Sequence, residues 1–135
     1  MPEHPTNTRL EAVARRFHTY EFGDPLNELA GLVHPDARMS FLGDGLGPLE
    51  GRQEIVAELT QSREAKLYSA TIERCEWIDQ WTLLLTGRVR YVPSAGGGLT
   101  DATVWWVDEF LDGMLLRIDV FTSADAVKEW LRSFA

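Results

Sequence analysis

Asp108 is the carboxylate best placed in this sequence to do chemistry. It lies in DATVWWVDEFLDGMLLRIDVFT, residues 101–122, where two alternating apolar runs flank Asp112-Gly113. That pair suits a type I′ hairpin turn, because both central positions take positive φ. Side chains alternate across a strand, so Val104, Trp106, Asp108 and Phe110 share one face. Thr103, Trp105, Val107 and Glu109 share the other. Large apolar groups on both sides predict that both faces are covered. A carboxylate beside Trp106 and Phe110 is desolvated, which raises its pKa toward the range useful to a general acid or base. The alternative is a structural Asp near the strand end, paired with a backbone amide or with Arg38, Arg88, Arg90 or Arg117.

The other polar residues offer less. Tyr20 shares an apolar helix stripe with Phe17. Its hydroxyl either donates to a ligand carbonyl or finds a partner at the rim of a core. His4, His18 and His34 show neither H-x-x-x-H nor H-E-x-x-H spacing. His4 falls in a frayed end, His18 on the polar side of a helix and His34 in a turn, so no metal site is expected. The loop GDGLGPLEG, residues 43–51, lacks G-x-x-x-x-G-K-[ST], and its Asp44 and Glu50 would repel phosphate. It reads as a flap whose Leu46 and Leu49 close over a ligand, and no cofactor is expected.

The composition narrows the class. The chain has 135 residues, which suits a single domain over residues 1–135 with a core that needs neither disulfide nor metal. A formal net charge of −8 disfavours nucleic acid and anionic membranes as partners. No run approaches a membrane span. The opening MPEHPTNTR has no apolar signal region, and Cys75 is alone, so the sequence predicts a cytoplasmic chain. Five tryptophans supply much apolar area for a core, an interface or a cavity lining.

The elements that must position these residues follow from periodicity. Residues 1–6 read as frayed. Thr8 and Glu11 form a capping box that opens a helix to about Phe22, with a stripe of Leu10, Val13, Ala14, Phe17 and Tyr20. Asp24 caps a second helix with Pro25 at its first position and Leu26, Leu29, Leu32 and Val33 inward. His34-Pro35-Asp36 reads as a turn, and Arg38–Leu42 as a short strand. A third helix spans about Arg52–Arg63, with Ile55, Val56 and Leu59 inward. Strands follow at about Leu67–Ile78, Trp81–Val92, Asp101–Leu111 and Met114–Thr122, with a mobile loop at residues 93–100. The face of Trp81–Val92 that turns inward stays open, since Thr86, Arg88 and Arg90 compete with Leu85, Gly87, Val89 and Tyr91. Ser123 caps a short last helix whose inward face is Val127, Trp130, Leu131 and Phe134. The fold class is α+β: a cone-shaped fold in which a curved antiparallel sheet wraps around three N-terminal helices.

Four local features resemble the nuclear transport factor 2-like superfamily, in particular its SnoaL-like and ketosteroid isomerase-like members. They are the first helix ending in Gly23-Asp24, LAGLVHPDARMSF (Leu29–Phe41), Gly51-Arg52-x-x-Ile55, and VDEFLDGMLLRIDVF (Val107–Phe121). The resemblance implies a cystatin-like α+β domain with a hydrophobic pocket. The pocket would be lined by Phe17, Tyr20, Met39, Phe41 and Ile55, together with Leu59, Trp106, Phe110 and Ile118. It does not by itself imply an activity, because one fold hosts many.

Ketosteroid isomerases use a Tyr on the first helix, an Asp base at the end of the first strand and a protonated Asp on a later strand. Those positions fall on Phe17, Phe41 and Trp106. The Arg-x-Asp of limonene epoxide hydrolase-like members has Arg88-Val89-Arg90 as its nearest match. Both sets are therefore broken, and Asp108 is the remaining catalytic candidate. The expected ligand is a small apolar or carbonyl-bearing molecule, and an enzyme here would be an isomerase, cyclase, dehydratase or hydrolase. The alternatives are a non-catalytic ligand-binding module or a dimerisation or protein-interaction domain. Trp105, Val107, Leu115 and Phe121 form an outer apolar patch, and the family commonly dimerises there, so a homodimer is expected.

Overall fold

The computed structural model describes residues 5–20, 24–42, 48–65, 68–91 and 99–134. The elements run α1 (Pro5–His18), α2 (Leu26–Gly31), β1 (Val33–Leu42), β2 (Leu49–Glu50), α3 (Arg52–Ala65), β3 (Tyr68–Trp77), β4 (Thr82–Tyr91), β5 (Thr100–Leu111), β6 (Met114–Phe121) and α4 (Ala124–Phe134). The six strands form one curved, unclosed sheet in the order β2-β1-β6-β5-β4-β3. The sheet is mixed rather than wholly antiparallel, because β1 runs parallel to β6. Among the described residues no helix is long and apolar enough to cross a membrane.

α1 presents Leu10, Ala14 and Phe17 to the core, as the stripe requires. It begins at Pro5, three residues before the expected cap at Thr8. Proline suits a first helical position, where its missing N–H costs nothing, so Thr8 lies inside the helix. The frayed segment thus excludes Pro5 and Thr6, and residues 1–4 lie outside the described residues. The helix also stops at His18 rather than near Phe22, and Phe22 and Gly23 are not described.

Asp24 does not cap α2. Its carboxylate is taken by Arg16 at 3.1 Å, and Arg16 also reaches Glu28 at 2.6 Å, tying α1 to α2. Pro25 occupies the N-cap position without a side-chain cap. Leu29 is buried, but Leu26 faces water, so the inward side of this short helix is narrower than expected.

The expected turn at His34-Pro35-Asp36 is an irregularity inside a longer β1. Between the pairs Val33–Leu115 and Arg38–Arg117, β1 advances five residues while β6 advances two. Pro35 cannot donate to a ladder, which suits a strand interruption. The Asp36 amide donates to Nδ1 of His34 at 3.0 Å instead. The Gly51-Arg52 motif closes this corner: the Gly51 amide donates to the Ala37 carbonyl at 2.7 Å, and Nε of Arg52 to the Val33 carbonyl at 2.8 Å. The expected flap divides. Leu49-Glu50 forms an edge strand on Met39 and Arg38, while residues 43–47, with Leu46, lie outside the described residues.

The Asp112-Gly113 turn has φ of 55° and 78°, as its residue types demand. One irregularity follows it. Glu109 pairs with Arg117 but Phe110 pairs with Leu115, so Leu116 is an extra residue on β6. A bulge of this kind flips the side-chain alternation beyond it. Leu115 therefore joins Ile118 and Val120 on the inner face, while Phe121 lies on the outer one. This corrects the outer patch, to which Leu115 does not belong. The rest of that patch is covered by the chain itself: α4 lays Val127 and Trp130 over Val107, Phe121 and Trp105.

Candidate functional site

Two sequence-distant elements meet at Asp108. β5 carries it between Leu83 of β4 and Ile118 of β6, both wholly buried. α1 carries His18, four residues beyond the buried Ala14 and hence on a neighbouring part of the same helix face. Nε2 of His18 lies 2.7 Å from Oδ2 of Asp108, with side-chain exposures of 2% and 0%. The histidine expected on the polar side of its helix is the partner of the expected catalytic carboxylate. A titratable side chain four residues from a buried alanine, on a helix that must cover an acid-bearing strand face, was the available signal.

The four arginines proposed as partners of Asp108 lie elsewhere. Register settles the inward face of β4: Leu83, Leu85, Gly87 and Val89 face the core. Arg88 and Arg90 turn outward to Asp101, at 3.1 and 3.8 Å. Arg117 faces outward to Asp119 at 3.3 Å, and Arg38 pairs in register with Arg117 on that face.

Aromatic rings frame the pair. The His18 imidazole stacks on Trp106 with ring centroids 4.6 Å apart and planes 24° from parallel. Phe17 meets it edge-on at 5.1 Å. The indole of Trp106 fills the space above Gly87, where a Cβ would stand 2.7 Å from a ring carbon. Oδ1 of Asp108 is buried with no hydrogen-bond partner among the described residues. Burial pushes the Asp108 carboxyl above its ordinary range, and the charge and hydrogen bond of His18 draw it back. A net charge in such surroundings is costly. The favoured states are imidazolium with carboxylate, or imidazole with carboxylic acid, which differ by the place of one proton along a short bond.

Phe17, Tyr20, Met39, Ile55, Leu59, Trp106, Phe110 and Ile118 fall in one buried apolar cluster, and Phe41 packs against it. Phe17 and Trp106 touch His18, and Ile118 lies across from Asp108. The Tyr20 hydroxyl donates to the Asp24 carbonyl at 3.2 Å, a contact of the rim. A cleft of about 420 Å³ opens at the hairpin end, and two of its walls, Leu10 and Phe110, belong to the cluster that holds the pair. Among the described residues no group of three His, Cys, Asp or Glu side chains is arranged to hold a metal ion.

No protein-family model matches the sequence, and no curated protein matches it. Solved structures do match in shape. A protein from Jannaschia sp. CCS1 described as a SnoaL-like polyketide cyclase superposes with a TM-score of 0.76 at 14% identity, over 95% of this chain and 94% of that one. An LEH-like epoxide hydrolase of M. tuberculosis gives 0.71 at 13% identity, over 93% and 91%. An NTF2-like protein of unknown function from Burkholderia pseudomallei K96243 gives 0.70 at 13% identity, over 96% and 98%. These likenesses establish the fold.

Proposed function

We propose that this chain, which has the fold of the nuclear transport factor 2-like superfamily, binds a small apolar, carbonyl-bearing molecule and moves a proton on it with the His18–Asp108 pair. The observation that carries this reading is the pair itself, a 2.7 Å bond buried in an apolar cluster. One carboxylate oxygen is held by the imidazole, and the other is unclaimed among the described residues. Burying such groups without a role costs stability that an apolar pair of similar volume would not.

The chemistry is proton transfer at carbon. A ligand C–H beside a carbonyl breaks as an Oδ1–H bond forms on Asp108. The electron pair moves onto the ligand oxygen as an enolate, the proton on Oδ1 trades with solvent, and a solvent-derived proton is returned from Oδ1 to the ligand carbon in the second step. His18 tunes the basicity of Asp108 through Oδ2 and keeps Oδ1 pointed at the ligand. The neighbouring cyclase and epoxide hydrolase are compatible with small-molecule work on this fold. Phe110, two residues along the same strand face from Asp108, also lines the 420 Å³ cleft, whereas Asp108 and His18 do not, so on this reading a ligand reaches the pair by displacing Phe110.

The test is α-proton exchange in D2O over a panel of apolar ketones and diketones, followed by proton NMR. Wild-type protein exchanges a subset of the panel, Asp108→Asn loses at least about 100-fold, within the usual range for a general acid–base group, and His18→Gln, at a residue that acts only through Asp108, loses less, roughly tenfold. Exchange by Asp108→Asn at the wild-type rate overturns the proposal. Tryptophan fluorescence that responds to a ketone, with no exchange of any ketone in wild type, would favour the non-catalytic binding module.

A further inference from the structure

Trp106 touches the imidazole, is buried, and occupies a space that only a glycine on the neighbouring strand leaves open. We propose that Trp106 is the positioning residue of the pair: its indole, seated over Gly87, fixes the plane of the His18 ring so that Nε2 meets Oδ2 of Asp108 and leaves Oδ1 free. The inference rests on the proton-transfer reading of this site, but it concerns the resting geometry and needs no ligand.

Three observations converge on it. The β4–β5 register places Leu85 opposite Trp106 and Gly87 opposite Val104, so the indole leans along its own face toward the gap at Gly87. There the ring carbon Cζ3 would be 2.7 Å and Cη2 3.2 Å from a Cβ. No side chain larger than a hydrogen leaves the indole where it is. With those ring carbons so placed, the indole stacks on His18 at 4.6 Å and 24°. Phe17 then blocks the ring edge at 85°. A histidine rotates about two side-chain bonds, and a stacked face with an edge contact removes that freedom before any ligand arrives.

Asp108 is the one group hydrogen-bonded to the ring among the described residues. Two further ionisable groups lie within electrostatic reach of Asp108, Cys75 on β3 and Asp119 on β6, and neither bonds the imidazole. The orientation of His18 therefore depends on Asp108 and on the two aromatic rings. Of the rings, Trp106 is the one stacked parallel to it.

The experiment reads the His18 ring proton directly by ¹⁵N-edited NMR of the unligated protein, assigned by its disappearance in His18→Gln. In wild type the Nε2 proton gives a downfield, slowly exchanging signal. Trp106→Phe keeps an aromatic face and holds the exchange rate within about tenfold. Trp106→Leu removes that face and raises the rate at least 100-fold, with the fold checked by the unchanged Nε1 signals of the other tryptophans. Should Trp106→Leu not fold, Trp106→Met, nearer the indole in volume, is read in the same way. A wild-type exchange rate in the folded leucine or methionine variant overturns the proposal. Loss in Trp106→Phe equal to that in the aliphatic variant also overturns it. Because the readout needs no turnover, a protein that exchanges no ketone but shows this order of signals would defeat the proton-transfer reading and leave the positioning role standing.

Discussion

His18 and Asp108 stand 90 positions apart in sequence and 2.7 Å apart in space, each sealed from water. Their bond joins the last turn of α1 to the middle of the sheet. It is the one buried side-chain hydrogen bond between charged or titratable groups among the described residues, set in a core otherwise made of aliphatic and aromatic groups. A polar link of that kind ties the first helix to the sheet, and it does so at an energetic cost.

That cost has a pH signature. Burial raises the Asp108 carboxyl above its ordinary 3.8, so the folded state holds this proton more tightly than the unfolded state does. The stabilisation from that preference is fully present below pH 3.8 and is lost as pH rises through the raised folded value. Asp119 acts with the same sign, since burial raises it too. Asp108→Asn cannot ionise, so its stability relative to wild type improves as pH rises from about 3 to about 7. Urea denaturation across that range measures it, and parallel stability curves for the two proteins would contradict it.

Gly87 is where the sheet has no room. A Cβ there meets the Thr71 backbone carbonyl and the Trp106 ring, and the carbonyl cannot turn aside as a flexible side chain would. Gly87→Ala is expected to cost about 3 kcal/mol, at the upper end for overpacking a core. Alanine at the exposed Gly31, whose Cβ would meet nothing within 4 Å, is the control and is neutral or mildly stabilising in the helix. Thermal unfolding of the two variants separates a steric cause from a general intolerance of substitution.

The fold was largely legible, and the site only half so. The helix stripe, the Asp-Gly turn and the alternation of β5 are local patterns, and Leu10, Phe17 and Trp106 lie where those patterns put them, whereas the inward face of β4, with Leu85, needed the register with β5. His18 escaped because it flanks the stripe rather than lying in it, and a polar residue at that edge reads as solvent-facing unless its partner is known. The partner is on another element, and periodicity carries no information across 90 residues. The bulge at Leu116 was silent for a different reason. Leu115 and Leu116 are the same residue type, so composition cannot say which turns inward. The parallel pairing of β1 with β6 is likewise a long-range choice with no local mark.

The bulge itself can be tested with that pair of leucines. Leu115 is wholly buried in the inner cluster, whereas Leu116 is the unpaired extra residue and is part-exposed. Leu115→Ala is expected to cost about 3 kcal/mol and Leu116→Ala about 1 kcal/mol or less. Uninterrupted alternation from Met114 would give no reason for so large a difference in that direction if Leu115 belonged to the outer patch. Equal costs in chemical denaturation would remove the bulge as the cause of the flipped face.

Cys75 is half-buried on β3, and burial pushes its thiol from 9.0 up to about 11, against an opposing pull from Arg15. The thiolate is the reactive form, so at pH 8 only about one thiol in a thousand is competent to react in the folded protein. Unfolding restores an ordinary thiol. Alkylation by iodoacetamide at pH 8 is expected to run at least 100-fold slower in buffer than in strong urea. Comparable rates in the two solutions would show that the thiol is neither shielded nor shifted.

The sheet separates two apolar clusters, and a perturbation of one should leave the other intact. The outer cluster is small: Val107, Phe121 and Val127 are its buried members, with Trp105 and Trp130 at its margin. Val127→Asp places an unpaired charge under α4 and is expected to release that helix, at a cost of about 2 to 3 kcal/mol. The freed face of Val107, Phe121 and Trp105 then binds a hydrophobic dye and promotes self-association, visible by light scattering. His18 and Asp108 belong to the opposite side, behind β5 and β6, so the ring proton of His18 should exchange as slowly as in wild type. Release of α4 with loss of that signal would mean that the sheet transmits the damage, and the two layers would have to be treated as one cooperative unit.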